Sequence, residues 1–177
     1  MPEVADLLAR DSPDTLLVAA GGIADGRGMA AALMLGADGV MLGSRLWAAP
    51  ECLIHPNHQA AALASDGDGT VRQVAADIAR GYDWPEEFTG RVLRNGFVQR
   101  WNGNEAEHRT VAAATRADYL AGVAEGRSDA VGIFVGEAIG LIHEVAPAAE
   151  IMARIADEAA ALLQGRAAAL LGPAPPQ

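Results

Sequence analysis

Residues 15–28 read TLLVAAGGIADGRG, and residues 39–45 read GVMLGSR. In each stretch a short apolar run ends in glycine, which is the pattern of a buried parallel strand followed by a tight turn. The segment between them, from Met29 to Leu35, is rich in Ala, Leu and Met and predicts a crossover helix. The chain therefore predicts a strand–helix–strand unit, in which Asp25 caps the start of the helix and Gly36 is left-handed after its end.

The two glycine turns are expected to lie side by side. A crossover connection makes the two strands parallel, so Gly21-Gly22 and Gly43-Ser44 leave the sheet at the same edge. Glycine lets the backbone approach a ligand closely, and free amides beside a helix N-terminus form an anion site. The pair of turns therefore indicates a phosphate site, although either turn alone is equally consistent with a tight turn that binds nothing.

The two turns resemble those of the nitronate monooxygenases, formerly called 2-nitropropane dioxygenases, which are FMN-dependent barrel enzymes. Residues 19–27 resemble the family's seventh strand and turn, and residues 36–44 resemble the eighth. Similar turns occur in enoyl reductases of the same fold and in IMP dehydrogenases, so these blocks alone identify a superfamily. Four downstream matches narrow the choice: Asp83-Trp84-Pro85, residues 91–95 (RVLRN), Trp101 and residues 147–151 (PAAEI).

The resemblance implies an α/β fold, a partial TIM (β/α)8 barrel made of the last two β/α units, followed by a mainly helical C-terminal region. We expect the barrel part over residues 1–50, a helical and irregular excursion over 51–127, and C-terminal helices and tail over 128–177. A barrel of this kind needs about 250 residues, whereas this chain has 177. We therefore expect a C-terminal half, through a true truncation or through a start codon assigned too far downstream.

The resemblance also implies FMN as the cofactor. The phosphate end of the flavin would be held by residues of the two turns: Ala20, Gly21, Gly22, Gly43 and Ser44. The family's catalytic His, and the glycines that meet the isoalloxazine ring, belong to the part that this chain does not match, so no catalytic residue is expected here. Arg45 would pair either with the phosphate or with a carboxylate, and we expect the carboxylate.

The implied activity is oxidative denitrification of nitronates or nitroalkanes with O2 by an FMN-dependent oxidoreductase. Its partners would be the small-molecule substrate, O2, and either further copies of the chain or a missing N-terminal half. The alternative is a non-catalytic barrel remnant, or an oligomer-dependent fragment that binds phosphate or a nucleotide. An IMP-dehydrogenase-like function is a weaker third, since Cys52 lies nine residues past Gly43, away from both turns.

One segment departs from the family pattern. Residues 134–137 read FVGE, where the family commonly shows Tyr-Ala-Gly-Gln near the mouth of the active site. Phe134 lacks the tyrosine hydroxyl. Glu137 replaces an amide with a carboxylate, which would repel an anionic nitronate unless it is protonated or paired.

Composition excludes several other functions. The chain has 23 acidic and 13 basic residues, a net charge of -10, and every basic residue is Arg, so a nucleic-acid surface is not expected. Without Lys, this chain contains neither a Schiff-base lysine nor a P-loop lysine. Cys52 is the single cysteine, which rules out an intrachain disulfide. No apolar stretch is long enough to span a membrane and no export signal is recognisable, so we expect a cytoplasmic protein with no membrane partner.

Two local patterns suggest metal ligands but are expected to bind none. Asp66 and Asp68 lie in a glycine loop that lacks the further ligands of an EF-hand, so a solvated turn is expected. His55 and His58 are separated by Pro56, which disfavours a helix that presents both, so we expect surface histidines.

Beyond residue 50 the chain is expected to be mostly helical. We predict helices around 59–65 and 70–79, an irregular segment over 81–105, a helix that begins at Ser128, an amphipathic helix after Pro147, and a frayed tail over 172–176. In the irregular segment, Trp84, Phe88, Phe97 and Trp101 are expected to pack against the barrel. In the helix from Ser128, three glycines recur every fourth residue along one face: Gly132, Gly136 and Gly140.

Overall fold

The structure is a computed structural model that describes residues 1–82, 84–85 and 87–172. Among these residues the helices are α1 (Pro2–Asp11), α2 (Gly26–Met34), α3 (Ser44–Trp47), α4 (Pro56–Leu63), α5 (Ala75–Arg80), α6 (Gly96–Trp101), α7 (Glu105–Glu125) and α8 (Ala148–Leu171). The strands are β1 (Val18–Ala20), β2 (Gly39–Met41), β3 (Thr70–Gln73) and β4 (Gly90–Leu93). Short 3-10 turns cover Pro50–Cys52 and Glu137–Leu141. Asp83, Glu86 and residues 173–177 of the expected tail lie outside the described residues.

The strand–helix–strand unit predicted from the opening stretch is confirmed. Strands β1 and β2 pair in parallel across helix α2, with Ala20 opposite Met41. Asp25 caps α2, since its Oδ1 accepts a hydrogen bond from Gly28 N at 3.0 Å. Gly36 follows the helix with φ +97°, the left-handed conformation that its position required.

The C-terminal helix packs on this unit. Ile151 and Ile155 are buried on α8, in a cluster that also holds Ala49 and Ala146, as expected for the apolar face of an amphipathic helix. At the start of α2, Gly26 lies against the α8 backbone at Ala159. Helix α2, near the start of the chain, and helix α8, at its end, therefore pack directly against each other.

The predictions for residues 70–79 and 81–105 are partly wrong. Residues 70–73 form strand β3 rather than helix, and only residues 75–80 are helical. The region expected to be irregular contains β4, which pairs antiparallel with β3, and helix α6. Asn95 caps α6 by accepting a hydrogen bond from Val98 N at 3.0 Å. The strand pairing, and not the local sequence, makes Thr70–Gln73 extended, because it satisfies backbone groups that a helix would satisfy internally.

The helix expected from Ser128 is also wrong. Residues 131–135 lie alongside β4: Val92 bridges to Phe134, and Leu93 N donates to Ile133 O at 2.9 Å. The three spaced glycines therefore do not share a helix face. Each lies close to a different part of the chain: Gly132 beside Ala76, Gly136 beside Ser44, and Gly140 beside residues 66–67.

The main hydrophobic core lies between the antiparallel β3–β4 pair, helices α5 to α7 and the extended segment 131–135. Phe97 and Trp101 are buried there, as expected. Trp84 and Phe88 are exposed, so the expected packing holds for only half of that aromatic set. Among the described residues, no helix combines the length and apolar character needed to cross a bilayer.

Candidate anion-binding site

The two glycine turns lie at one edge of the β1–β2 pair. Parallel pairing of Ala20 with Met41 brings the chain out of both strands on the same side. Gly21 and Gly22 have φ of +99° and +74°, a conformation that favours glycine. A Cβ placed on Gly21, Gly22 or Gly43 would meet no atom within 4 Å. The backbone of both turns therefore borders open space, which is the geometry that a bound group needs for close approach.

Ser44 links the second turn to a distant segment. Its Oγ accepts a hydrogen bond from Gly136 N at 2.8 Å. A hydroxyl that accepts from the backbone still has its own proton to donate. Gly43, Ser44 and Gly136 line a cavity of about 470 Å³ with Trp47, Cys52, Phe134 and Arg91 among its other walls. The Ser44 hydroxyl is thus a fixed donor at a cavity large enough for a small ligand.

The N-terminus of α2 is already occupied by carboxylates of the chain. Gly26 N donates to Glu158 Oε2 at 3.0 Å, and Gly28 N donates to Asp25. These two amides, one of them bound to the predicted cap Asp25, therefore have partners that satisfy the orphan donors of a helix end. An anion at this edge would rely on the turns and not on α2.

Arg45 serves the structure, as expected. Its side chain is buried, its Nη1 donates to Glu144 O at 3.3 Å, and its Nη2 lies 3.5 Å from Glu144 Oε1. Burial lowers the pKa of the Arg45 guanidinium, and the neighbouring Arg154 lowers this pKa further. The same carboxylate also pairs with Arg154 at 2.6 Å. Arg45 therefore joins α3 to the segment that precedes α8.

Arg91 is the charged residue of the cavity that sequence reasoning missed as a site residue, since it used Arg91 as part of the family match over residues 91–95. Arg91 Nη1 donates to Thr70 Oγ1 at 3.1 Å, and its Nη2 lies 3.2 Å from Glu137 Oε1. The available signal was Glu137 itself. A carboxylate in place of the family's amide calls for a cation nearby, and Arg91 is that cation.

His58 and Asp66, which belong to the two patterns that suggested metal ligands, form hydrogen bonds with other residues of the chain. His58 is buried, which corrects the expectation of a surface residue, and its ring nitrogens lie 3.0 Å from Ser128 Oγ and 3.1 Å from Val123 O. Asp66 accepts a hydrogen bond from Gly69 N, as a turn residue does. Across the described residues, no group of three or more His, Cys, Asp or Glu side chains is placed to hold a metal ion.

Comparison with known proteins gives consistent matches. The family model for nitronate monooxygenase matches residues 2–158. A nitronate monooxygenase of Metarhizium robertsii, npaC, is 39% identical over 169 aligned residues, which cover 92% of this chain and 46% of that protein. FabK from Thermotoga maritima superposes with a TM-score of 0.72 and 31% identity over 97% of this chain and 50% of its own. Nitroalkane oxidase from Streptomyces ansochromogenes gives 0.68 and 27%, over 93% and 45%.

Proposed function

Because this chain belongs to the nitronate monooxygenase family, we propose that it carries the phosphate-binding end of an FMN site in an oxidoreductase that acts on nitronates or nitroalkanes with O2. The chain spans about half the length of the relatives it matches. The complete reaction is therefore proposed for the whole enzyme, of which this chain supplies one end of the flavin site.

The geometry of the two turns carries the proposal. Gly21, Gly22 and Gly43 leave open the space that a Cβ would fill, and the Ser44 hydroxyl keeps a proton to donate. Backbone amides and one hydroxyl are a donor set suited to a phosphate, and loops after the last two strands of a TIM barrel commonly hold one. We infer accordingly that β1–α2 and β2–α3 are the last two β/α units of such a barrel.

In this proposal the chain binds and orients the cofactor. When bound, FMN supplies the redox chemistry, taking an electron or hydride equivalent from the deprotonated substrate and passing electrons to O2. Ala20, Gly21 and Gly22 approach the phosphate from one turn, and Gly43 and Ser44 approach it from the other. We assign no residue of this chain to proton abstraction, so the base belongs to the other half of the active site.

A matched pair of glycine substitutions tests the proposal. Gly43→Ala places a methyl group in the proposed phosphate space, whereas Gly39→Ala adds the same methyl group to β2, also with nothing within 4 Å. Neither glycine has a positive φ, the conformation in which an added Cβ is most strained, and circular dichroism of both variants checks that each keeps its fold. We expect Gly43→Ala to weaken FMN binding by roughly tenfold and Gly39→Ala to leave it unchanged.

The measurement is titration of the purified protein, expressed from its native gene, with FMN, followed by flavin absorbance and fluorescence. A wild-type protein that binds no FMN would overturn the proposal. Stoichiometric FMN binding would support it and would weaken the alternative, a remnant that has lost the flavin site.

A further inference from the structure

Arg91 lies at the cavity that the second glycine turn opens onto. It is on strand β4, and it lines the same cavity as Gly43 and Ser44. The chain connects these residues closely: Ser44 Oγ binds Gly136 N, and the next residue, Glu137, pairs with Arg91. A hydrogen bond, one peptide link and an ion pair therefore join the Ser44 hydroxyl to the Arg91 guanidinium.

The Arg91 side chain is held in place by a hydrogen bond to the neighbouring strand β3. Its Nη1 donates to the hydroxyl of Thr70, a buried residue whose own proton goes to Gly67 O at 2.7 Å. The Arg91 side chain is 26% exposed, so part of the guanidinium reaches solvent. A guanidinium has five N–H donors, of which the contacts to Thr70 and Glu137 need only two. Arg91 is thus an anchored cation with donors available at the cavity.

Its counter-ion is held weakly. The Glu137 side chain is 67% exposed, and an ion pair with one partner in solvent contributes less than about 1 kcal/mol. The residue opposite Arg91 on β3 is Arg72, a second cation. A phosphate carries more negative charge than a carboxylate and binds a guanidinium through two parallel hydrogen bonds. A phosphate in the cavity can therefore replace Glu137.

We propose that Arg91 binds the phosphate of the flavin, and that Glu137 is the counter-ion that occupies Arg91 until the phosphate arrives. This inference rests on the proposed function, because it specifies a further contact in the same site. It assigns a role to the departure at Glu137. The carboxylate competes with the cofactor for one cation and so lowers the affinity for FMN, without lowering the affinity for a flavin that lacks the phosphate.

The test compares FMN with riboflavin, which carries the same ring system and no phosphate. We expect Arg91→Gln to weaken FMN binding by about tenfold or more and to leave riboflavin binding unchanged. Glu137→Gln should strengthen FMN binding several-fold, again without an effect on riboflavin. In the Arg91→Gln background, Glu137→Gln should have no further effect, because the cation for which the carboxylate and the phosphate compete is gone. Arg94→Gln, an exposed arginine three residues along, is the matched control and should change neither affinity.

The outcomes separate this inference from the proposed function. If the wild-type protein binds no FMN, the proposed function fails. If it binds FMN, and Arg91→Gln weakens FMN and riboflavin equally or neither, the inference is wrong while the proposed function stands. Should Arg91→Gln fail to fold, as judged by circular dichroism, Glu137→Gln decides alone. An unchanged ratio of FMN affinity to riboflavin affinity in Glu137→Gln would overturn the inference.

Discussion

Ser44 Oγ accepts a hydrogen bond from Gly136 N at 2.8 Å, across 92 positions of sequence. The bond joins the second glycine turn to the segment that replaces the family's Tyr-Ala-Gly-Gln. Gly136 N would otherwise lack a partner in a half-buried place, so the hydroxyl both satisfies the backbone and fixes its own orientation. The candidate phosphate site and the Arg91–Glu137 pair are thereby held in one arrangement.

Removal of this hydroxyl should destabilise the protein measurably. We expect Ser44→Ala to lower the free energy of unfolding by about 1 kcal/mol, because Gly136 N loses its acceptor, and Ser44→Thr to keep most of the stability. Urea denaturation followed by circular dichroism measures both. The control is Ser65→Ala, whose hydroxyl donates to the carbonyl of the adjacent Asp66 at 3.3 Å. Equal losses in Ser44→Ala and Ser65→Ala would contradict the importance of the long-range bond.

Two glycines of α2 should respond oppositely to the same substitution. A Cβ on Gly26 would overlap Glu158 and lie 2.7 Å from Ala159 N on α8, whereas a Cβ on Gly28 would meet its nearest atom, of Ile23, at 3.4 Å. Gly26→Ala must therefore push two helices apart, and we expect a loss of about 1–3 kcal/mol. Gly28→Ala should gain about 0.5–1 kcal/mol, because alanine loses less backbone entropy in a helix. Thermal and urea unfolding of both variants gives the comparison, which fails if the two changes have the same sign.

Glu144 should matter more than its exposed position suggests. Its carboxylate pairs with both the buried Arg45 and the exposed Arg154. Glu144→Gln would leave these two cations close together with no negative charge between them. The bond from Arg45 Nη1 to the Glu144 carbonyl would remain, so we expect a loss of about 1–2 kcal/mol rather than the full cost of a buried unpaired charge. Glu150→Gln, at an exposed carboxylate in the first turn of α8, is the control and should change the stability by less than about 0.5 kcal/mol. Chemical denaturation at low salt measures both variants. No difference between them would show that Arg45 does not depend on this pair.

His108 should make the protein less stable in mild acid. It is buried against Trp101, with ring centroids 4.3 Å apart, and its Nδ1 has no hydrogen-bond partner among the described residues. Burial lowers the pKa of the imidazole, and the nearby Arg100 lowers it further. A pKa that is lower in the folded state means that the unfolded chain binds the proton more readily, so stability is lost as the pH falls below about 6.5.

The variant His108→Phe keeps a ring at this position and cannot titrate. Between pH 7.5 and 5.5, we expect the wild-type protein to lose up to about 1 kcal/mol more unfolding free energy than the variant. The remaining histidines are common to both proteins and cancel in the comparison. Parallel pH profiles for the two proteins would contradict a lowered pKa at His108.

The sequence by itself determined the parts of the fold that depend on neighbouring residues. The apolar run before Gly21, the cap at Asp25 and the left-handed Gly36 specify strand, helix and turn through contacts within a few positions. The family resemblance was equally readable, since it lies in these local motifs. The candidate turn residues could also be named in advance, because a parallel crossover brings the ends of its two strands to one edge.

Tertiary structure alone decided the rest. Thr70–Gln73 reads as helix but is extended because it pairs with Gly90–Leu93, and residues 131–135 are extended because they lie beside β4. The same long-range packing places Arg91 beside Glu137 and buries His58, whose ring is hydrogen-bonded to Ser128. Helix periodicity and charge counts report on residues close in sequence. Strand pairing and ion pairs between distant segments depend instead on which surfaces the folded chain brings together, and no local pattern contains that information.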